Sequence, residues 1–307
     1  MTGEAYALLT LLCWTLGVHS FSKASELFSP ALVNKFRLLL AVIFLGILAL
    51  TIGHVQLSNL LNIHPKQWLW LGLSGVVGLA IGDFFGFTAF ALIGPGRTSM
   101  FTVLAPVAAF LLGMPLLGED LNAIGIIGMT ISLAGIYLLI SNKASQGKLQ
   151  QREGKNYAFG LFAAAMAALS QGVGLVFSKI GMDSIYPKIH PIQITFIRML
   201  VAFLAIFLMD IFRQKNTIFI RPFLHRLKDS RFVLMGTIFG PVLGVSFSIA
   251  AIGLIKVSVA QTIFALLPIT ILLFSYFFSK ERIRPVLWVY TAISLAGVII
   301  LLWRDGA

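Results

Sequence analysis

Apolar runs of about twenty residues follow one another along the chain, separated by short polar or Gly- and Pro-containing breaks. That is the length a helix needs to cross the hydrocarbon layer of a bilayer. Backbone polar groups in lipid must be satisfied within their own segment, so the runs are predicted as α-helices. Ten spans are read, at roughly 4–22, 31–52, 67–91, 97–117, 122–141, 157–178, 191–212, 232–255, 259–279 and 286–303. Trp68, Trp70, Trp288 and Trp303 fall near span ends, where amphipathic rings favour the headgroup layer. The predicted fold is an all-α integral membrane protein of ten transmembrane helices.

The polar stretch 142–156 has the composition of a linker and divides the spans five and five. It separates a first unit, 1–141, from a second, 157–307. The two are copies. Ile131-Ser132-Leu133-Ala134-Gly135 returns 162 positions later as Ile293-Ser294-Leu295-Ala296-Gly297. At the same spacing Gly78 meets Gly240, Gly82 meets Gly244, Pro106 meets Pro268 and Glu119 meets Glu281. An odd number of spans per copy makes the copies enter the membrane in opposite directions. The expectation is an inverted repeat about an axis in the membrane plane, with a substrate site between the halves.

Composition agrees with this reading. Hydrophobic residues make up 58% of the chain and charged residues 11%, against about 45–50% and 25% in soluble domains. Mean hydropathy is +0.95. The net charge of +12 does not point to nucleic acid, because the basic residues gather in short loops where membrane topology explains them. The loops 1–2, 3–4, 5–6, 7–8 and 9–10 hold most of them, led by Arg213, Lys215, Arg221, Arg226, Lys228 and Arg231. The positive-inside rule then puts those loops in the cytoplasm and both termini outside. Cys13 is the only cysteine, so no intrachain disulfide forms, and no metal or cofactor is expected. Met1-Thr2-Gly3-Glu4 lacks the basic start of a signal peptide, and the first run is read as a retained helix.

The stretch Ile81-Gly82-Asp83-Phe84-Phe85-Gly86-Phe87-Thr88-Ala89-Phe90-Ala91-Leu92 continues through Arg97-Thr98-Ser99 and Leu104-Ala105-Pro106 to Gly118-Glu119. The second copy carries Leu266-Leu267-Pro268, Lys280-Glu281-Arg282 and Leu295-Ala296-Gly297. In order, spacing and duplication this pattern resembles the drug/metabolite transporter superfamily, in its EamA-type ten-helix branch, over essentially the whole chain. The resemblance implies a secondary transporter that exports or exchanges small metabolites, amino acid-like or related solutes, by alternating access. It also implies a cavity lined by helices one to four and six to nine, with the fifth and tenth helices peripheral. The lipid bilayer, a small-molecule substrate and a coupling proton or counter-substrate are the partners it implies. A monomer or homodimer in the bacterial inner (plasma) membrane is expected. Similar proteins keep their termini in the cytoplasm, opposite to the loop charges, and the sequence leaves both orientations open.

Several residues carry candidate chemistry. Asp83 lies inside the third span, where a carboxylate is costly unless it faces protein or water; it reads as a coupling or substrate site, or as a static ion pair. Arg37 and Arg198 sit early in the second helix of each copy, suited to clamping an anion or to pairing within the protein. Lys23 and Lys179 each follow Phe-Ser at the end of the first helix of a copy and either attract an anion or snorkel to the interface. His19, Thr98, Ser99, Gln171, Gln193, Ser246 and Gln261 are candidate cavity-lining residues, joined by Thr102, Ser170, Ser248 and Thr262; each serves equally as polar glue between helices. Gly78, Gly82 and Gly86, with Ser74, recur every four residues, as do Gly236, Gly240, Gly244 and Ser248. Small residues so spaced share one helix face and let backbones approach. Pro106 and Pro268 are expected to interrupt their spans near the middle, as hinges or simple kinks.

Enzyme chemistry finds little support. Gly72-Leu73-Ser74-Gly75 matches the pattern of intramembrane serine proteases, but that chemistry needs a histidine base, and His190 and His225 fall in predicted loops. The sequence has no zinc-protease motif and no phosphate-binding loop. A channel or membrane scaffold is the alternative to a carrier, yet no filter-like run or charged ring is present.

Overall fold

The computed structural model describes residues 1–51, 63–141, 155–182, 188–212, 220–279 and 285–305. Every element among them is helical. In chain order they are α1 (Gly3–Leu27), α2 (Pro30–Thr51), α3 (Pro65–Ser74), a π-helical segment (Gly75–Ile81), α4 (Gly82–Thr98), a 3-10 segment (Ser99–Val103), α5 (Leu104–Leu117) and α6 (Ala123–Ser141). The second half has α7 (Lys155–Gly181), α8 (Pro191–Phe212), α9 (Arg221–His225), α10 (Leu227–Thr237), a second π-helical segment (Ile238–Gly244), α11 (Val245–Leu254), α12 (Val257–Phe264), α13 (Leu267–Ser279) and α14 (Pro285–Asp305). Eight stretches are long and apolar enough to cross a membrane, and the shorter apolar helices Phe101–Leu117 and Ala123–Leu139 bring the number to ten.

Local chemistry sets several of these starts. Pro30, Pro65, Pro191 and Pro285 open helices, where the missing N–H would have no intrahelical acceptor anyway. The Thr2 side chain accepts from the Ala5 N–H at 3.3 Å and caps α1. His64 caps α3 by accepting from the Lys66 N–H at 3.2 Å, while Gln67 Oε1 accepts from the His64 N–H. The same His-Pro-x-Gln arrangement opens α8, with His190 Nδ1 accepting from the Ile192 N–H and Gln193 Oε1 from the His190 N–H at 3.0 Å.

Three boundaries differ from those predicted. The break expected at 92–96 does not form; α geometry runs to Thr98 and tightens to 3-10 over Ser99–Val103. A membrane helix tolerates the donor lost at Pro95 because neighbouring groups can re-satisfy the carbonyl it frees. The predicted loop before residue 232 contains α9 and the start of α10, favoured by Pro222 and Asp229 in the first turns. Pro106 and Pro268 do not kink a continuous helix. Each sits in the first turn of a new one, after the 3-10 segment and after the Ala265-Leu266 turn. A first-turn N–H has no intrahelical acceptor, so proline is tolerated there.

The copies also differ from simple helices at matching places. The two π-helical segments, Gly75–Ile81 and Ile238–Gly244, nearly superpose under the 162-residue shift. The four-residue glycine spacing therefore does not run on uninterrupted α geometry. It marks where backbones touch. A Cβ on Gly174 of α7 would stand 2.9 Å from the Gly78 Cα, and one on Gly17 of α1 would stand 3.1 Å from the Gly240 N. The third span of each copy thus packs on the first helix of the other copy.

Helices α6 and α14 pack on each other in antiparallel sense. A Cβ on Gly128 would meet Leu301 and Gly297, one on Gly135 would meet Ser294, and one on Gly297 would meet Ser132. Ser132 and Ser294, equivalent in the two copies, face each other with hydroxyls 3.4 Å apart.

Candidate functional site

A cavity of about 250 Å³ lies between the copies, slightly below the roughly 300–1,000 Å³ of typical ligand pockets. Residues from α1, α2, α4, α5, α7, α11, α12 and α13, from both π-helical segments and from the 3-10 segment line it. None of its lining residues comes from α6, α8 or α14. Most of the wall is apolar, with the rings of Trp14, Phe21, Phe87, Phe90 and Phe264. The polar lining is Arg37, Asp83, Thr98, Thr102, Gln171 and Gln261.

These polar groups form a connected network. Arg37 donates through Nη2 to Asp83 Oδ2 and through Nε to Asn34 Oδ1 at 3.0 Å. Its guanidinium carbon stands 5.3 Å from the Phe87 ring centroid and 5.8 Å from that of Phe21, close enough for cation–π attraction. Gln171 Nε2 donates to Asp83 Oδ1 and to the Gly78 carbonyl, each at 3.1 Å. Gln261 Nε2 donates to the Gln171 carbonyl at 3.3 Å. Helices α2, α4, α7 and α12 are thereby tied around one carboxylate.

Arg198 is the counterpart of Arg37. Each lies seven residues after the proline that opens its helix, Pro30 in α2 and Pro191 in α8. Arg198 is 2% exposed, and its Nε and Nη1 have no hydrogen-bond partner among the described residues. Its backbone carbonyl lies against Gly75, where a Cβ would come within 2.3 Å, and its Nη2 would stand 3.5 Å from a Cβ on Gly78.

Of the residues singled out in the sequence, Arg37, Asp83, Thr98, Thr102, Gln171, Gln261, Gly82, Gly86 and Gly240 line the cavity. The others do not. Lys23 and His19 are exposed, and the His19 ring lies 5.5 Å from that of Phe274. Lys179 donates to the Ile252 carbonyl and, at 3.4 Å, to that of Ile255, the favoured place for a cation at the C-terminus of α11. Gln193 closes the capping box of α8. Ser246 is buried with its hydroxyl unpartnered among the described residues. Ser248 and Thr262 donate to carbonyls of their own helices, and Ser170 packs against Gly82. Gly78 and Gly244 lie in helix contacts. The Ser99 side chain, like the 142–154 part of the linker, lies outside the described residues.

The sequence reading missed the aromatic wall, because rings facing a cavity and rings facing lipid look alike in a hydrophobic pattern. It also missed two long-range polar contacts. Lys35 pairs with the buried Asp210 between α2 and α8. Glu119 accepts from the Val257 N–H at 2.7 Å and from the Ser258 N–H and hydroxyl at 3.4 Å, capping α12 from the other copy.

Comparison with known proteins agrees with this architecture. NIPA-like protein 2 of Mus musculus is 29% identical over 143 residues, which are 42% of this chain and 35% of the mouse protein. The chain thus matches about a third of that relative's length. A solved crystal structure covers 99% of this chain and 97% of its own at a TM-score of 0.73 and 20% identity, a likeness of fold. The EamA-like transporter family matches residues 1–141 and 158–303, nearly the whole length. With its apolar helices and its cavity between two copies of one unit, this chain is an integral membrane protein that belongs to the EamA-like transporter family.

Proposed function

We propose that the protein is a secondary active transporter that carries a small metabolite, amino acid-like in size, through the cavity between its copies by alternating access, for export or exchange across a bacterial inner membrane. The observation that carries this is the Arg37–Asp83 pair on the wall of an otherwise apolar cavity, held by Gln171 from the second copy. A buried charged pair in a membrane interior is expensive and marks a solute pathway. The contact of each third span with the first helix of the other copy supplies glycine surfaces on which the copies can rock. Drive by ion or solute gradient fits a chain whose sequence has no phosphate-binding loop.

Purified protein in proteoliposomes tests the reading. Counterflow, in which unlabelled solute inside accelerates uptake of labelled solute outside, is expected, and Gly86→Leu, which fills the cavity, should abolish it. Flux that saturates with neither solute nor trans-stimulation marks a channel and overturns the carrier reading.

A further inference from the structure

The cavity cluster is not neutral. Arg37 pairs with the one carboxylate, Asp83, and a second guanidinium, Arg198, packs with its Nη2 beside Gly78, whose carbonyl shares the Gln171 amide with Asp83. Guanidinium stays protonated at neutral pH, so the cluster carries one positive charge in excess. Among the described residues the other buried charged groups are engaged elsewhere, Glu119 on the start of α12 and Asp210 with Lys35, and the half-buried Lys179 is held on the end of α11. The second copy offers no acid to Arg198 at the place equivalent to Asp83, because Val245 stands there. A buried guanidinium with open donors and no counter-charge is costly in a low-dielectric interior.

We propose that the occupant which balances this cluster is a small organic monoanion with an apolar body, a carboxylate or a group of the same charge. This rests on the reading of the cavity as the transport site. Asp83 is the exchangeable partner. In the structure described it holds Arg37 on the cavity wall, while Arg198 stands behind that wall with Nε and Nη1 open. When the anion enters, Asp83 turns to Arg198 and Arg37 turns to the anion. Both guanidiniums are then paired, and no charge is left over. Arg198 is a positioning residue in this scheme, acting through Asp83. Trp14, Phe87 and Phe264 receive the apolar body. A cation would add to the excess charge, and a zwitterion would leave it in place.

Four isosteric probes test this on the full-length purified protein: 3-phenylpropanoate, 3-phenylpropanamide, 3-phenylpropylamine and phenylalanine. Binding is read by thermal shift and by isothermal titration. The carboxylate should bind saturably and at least about tenfold more tightly than the other three, the usual scale for one charge-assisted contact. Arg198→Gln should erase that preference and Arg198→Lys should restore part of it. Asp83→Asn should act the other way and tighten the carboxylate, because both guanidiniums are then open. That variant keeps the test decisive if Arg198→Gln fails to fold. Equal binding of all four probes, or a preference for the amine or phenylalanine, overturns the charge assignment while leaving the transport reading intact. Binding of none of them also overturns it, and the transport reading is then judged separately by counterflow.

Discussion

Ser132 and Ser294 occupy the same place in the two copies, and their hydroxyl oxygens lie 3.4 Å apart. Two equivalent residues meet face to face only on a two-fold axis. The glycines around them obey the same symmetry: position 135 meets Ser294 and position 297 meets Ser132. The α6–α14 contact therefore fixes how the copies are related, while the cavity forms away from it.

That closeness makes substitution costly. A Cβ on Gly135 would lie 2.6 Å from the Ser294 N, and one on Gly297 would lie 2.3 Å from the Ser132 N. Gly135→Ala and Gly297→Ala should each destabilise the protein by about 1–3 kcal/mol, the usual cost of overpacking. Thermal unfolding in detergent measures this. Gly86→Ala is the control, because its nearest neighbour, the Ala167 Cβ, would sit at an ordinary 3.7 Å, and it should unfold near the wild-type temperature.

The Arg37–Asp83 pair should behave as one unit. Removing Asp83 leaves the guanidinium of Arg37 buried without its partner, which costs about 3–5 kcal/mol, whereas removing Arg37 lets Asp83 turn to Arg198 and costs less. Asp83→Leu should lower the unfolding temperature sharply and Arg37→Met by a smaller amount, and the double variant should lose less than their sum. Transport should be lost in all three. Additive stability losses would show that the pair is not coupled in the membrane.

Glu119 should matter for folding rather than for solute recognition. It caps α12 across 138 residues of sequence, with its closest bond 2.7 Å to the Val257 N–H. Glu119→Ala should cost about 1–2 kcal/mol, the range for a lost N-cap, and Glu119→Gln should cost less. Probe affinity, measured below the unfolding temperature, should stay near wild type.

Gly244 controls the shape of the cavity without lining it. A Cβ there would lie 2.4 Å from Trp14 Cδ1, so Gly244→Ala must displace the indole. Solute affinity should fall by about tenfold or more, the effect of one misplaced buried contact, with a smaller change in unfolding temperature. Isothermal titration of the two proteins compares them directly.

Hydrophobic run length made the ten spans legible in the sequence, and the place of Arg37 and Arg198 early in the second helix of each copy made their correspondence legible. Asp83 was legible because an acid inside an apolar run needs a reason. Gln193 misled the reading: in a composition-based view it is a polar residue in a span, but His190-Pro191-Ile192-Gln193 is a helix start, and His64-Pro65-Lys66-Gln67 repeats it. The π-helical segments were hidden because a change of hydrogen-bond register leaves the apolar pattern almost untouched. Glu119 and Asp210 were hidden because their partners lie far along the chain, and only the packed fold brings them together.

The most direct test of the account is the sidedness of the two copies. In a Cys13→Ser background, which has no native cysteine, single cysteines at Thr2 and at Lys148 are labelled with a membrane-impermeant thiol reagent from each side of the bilayer. Opposed five-span copies place the two positions on opposite faces, so that each is modified from one side alone and the sides differ. Modification of both from the same face would contradict the inverted arrangement and the alternating-access mechanism built on it.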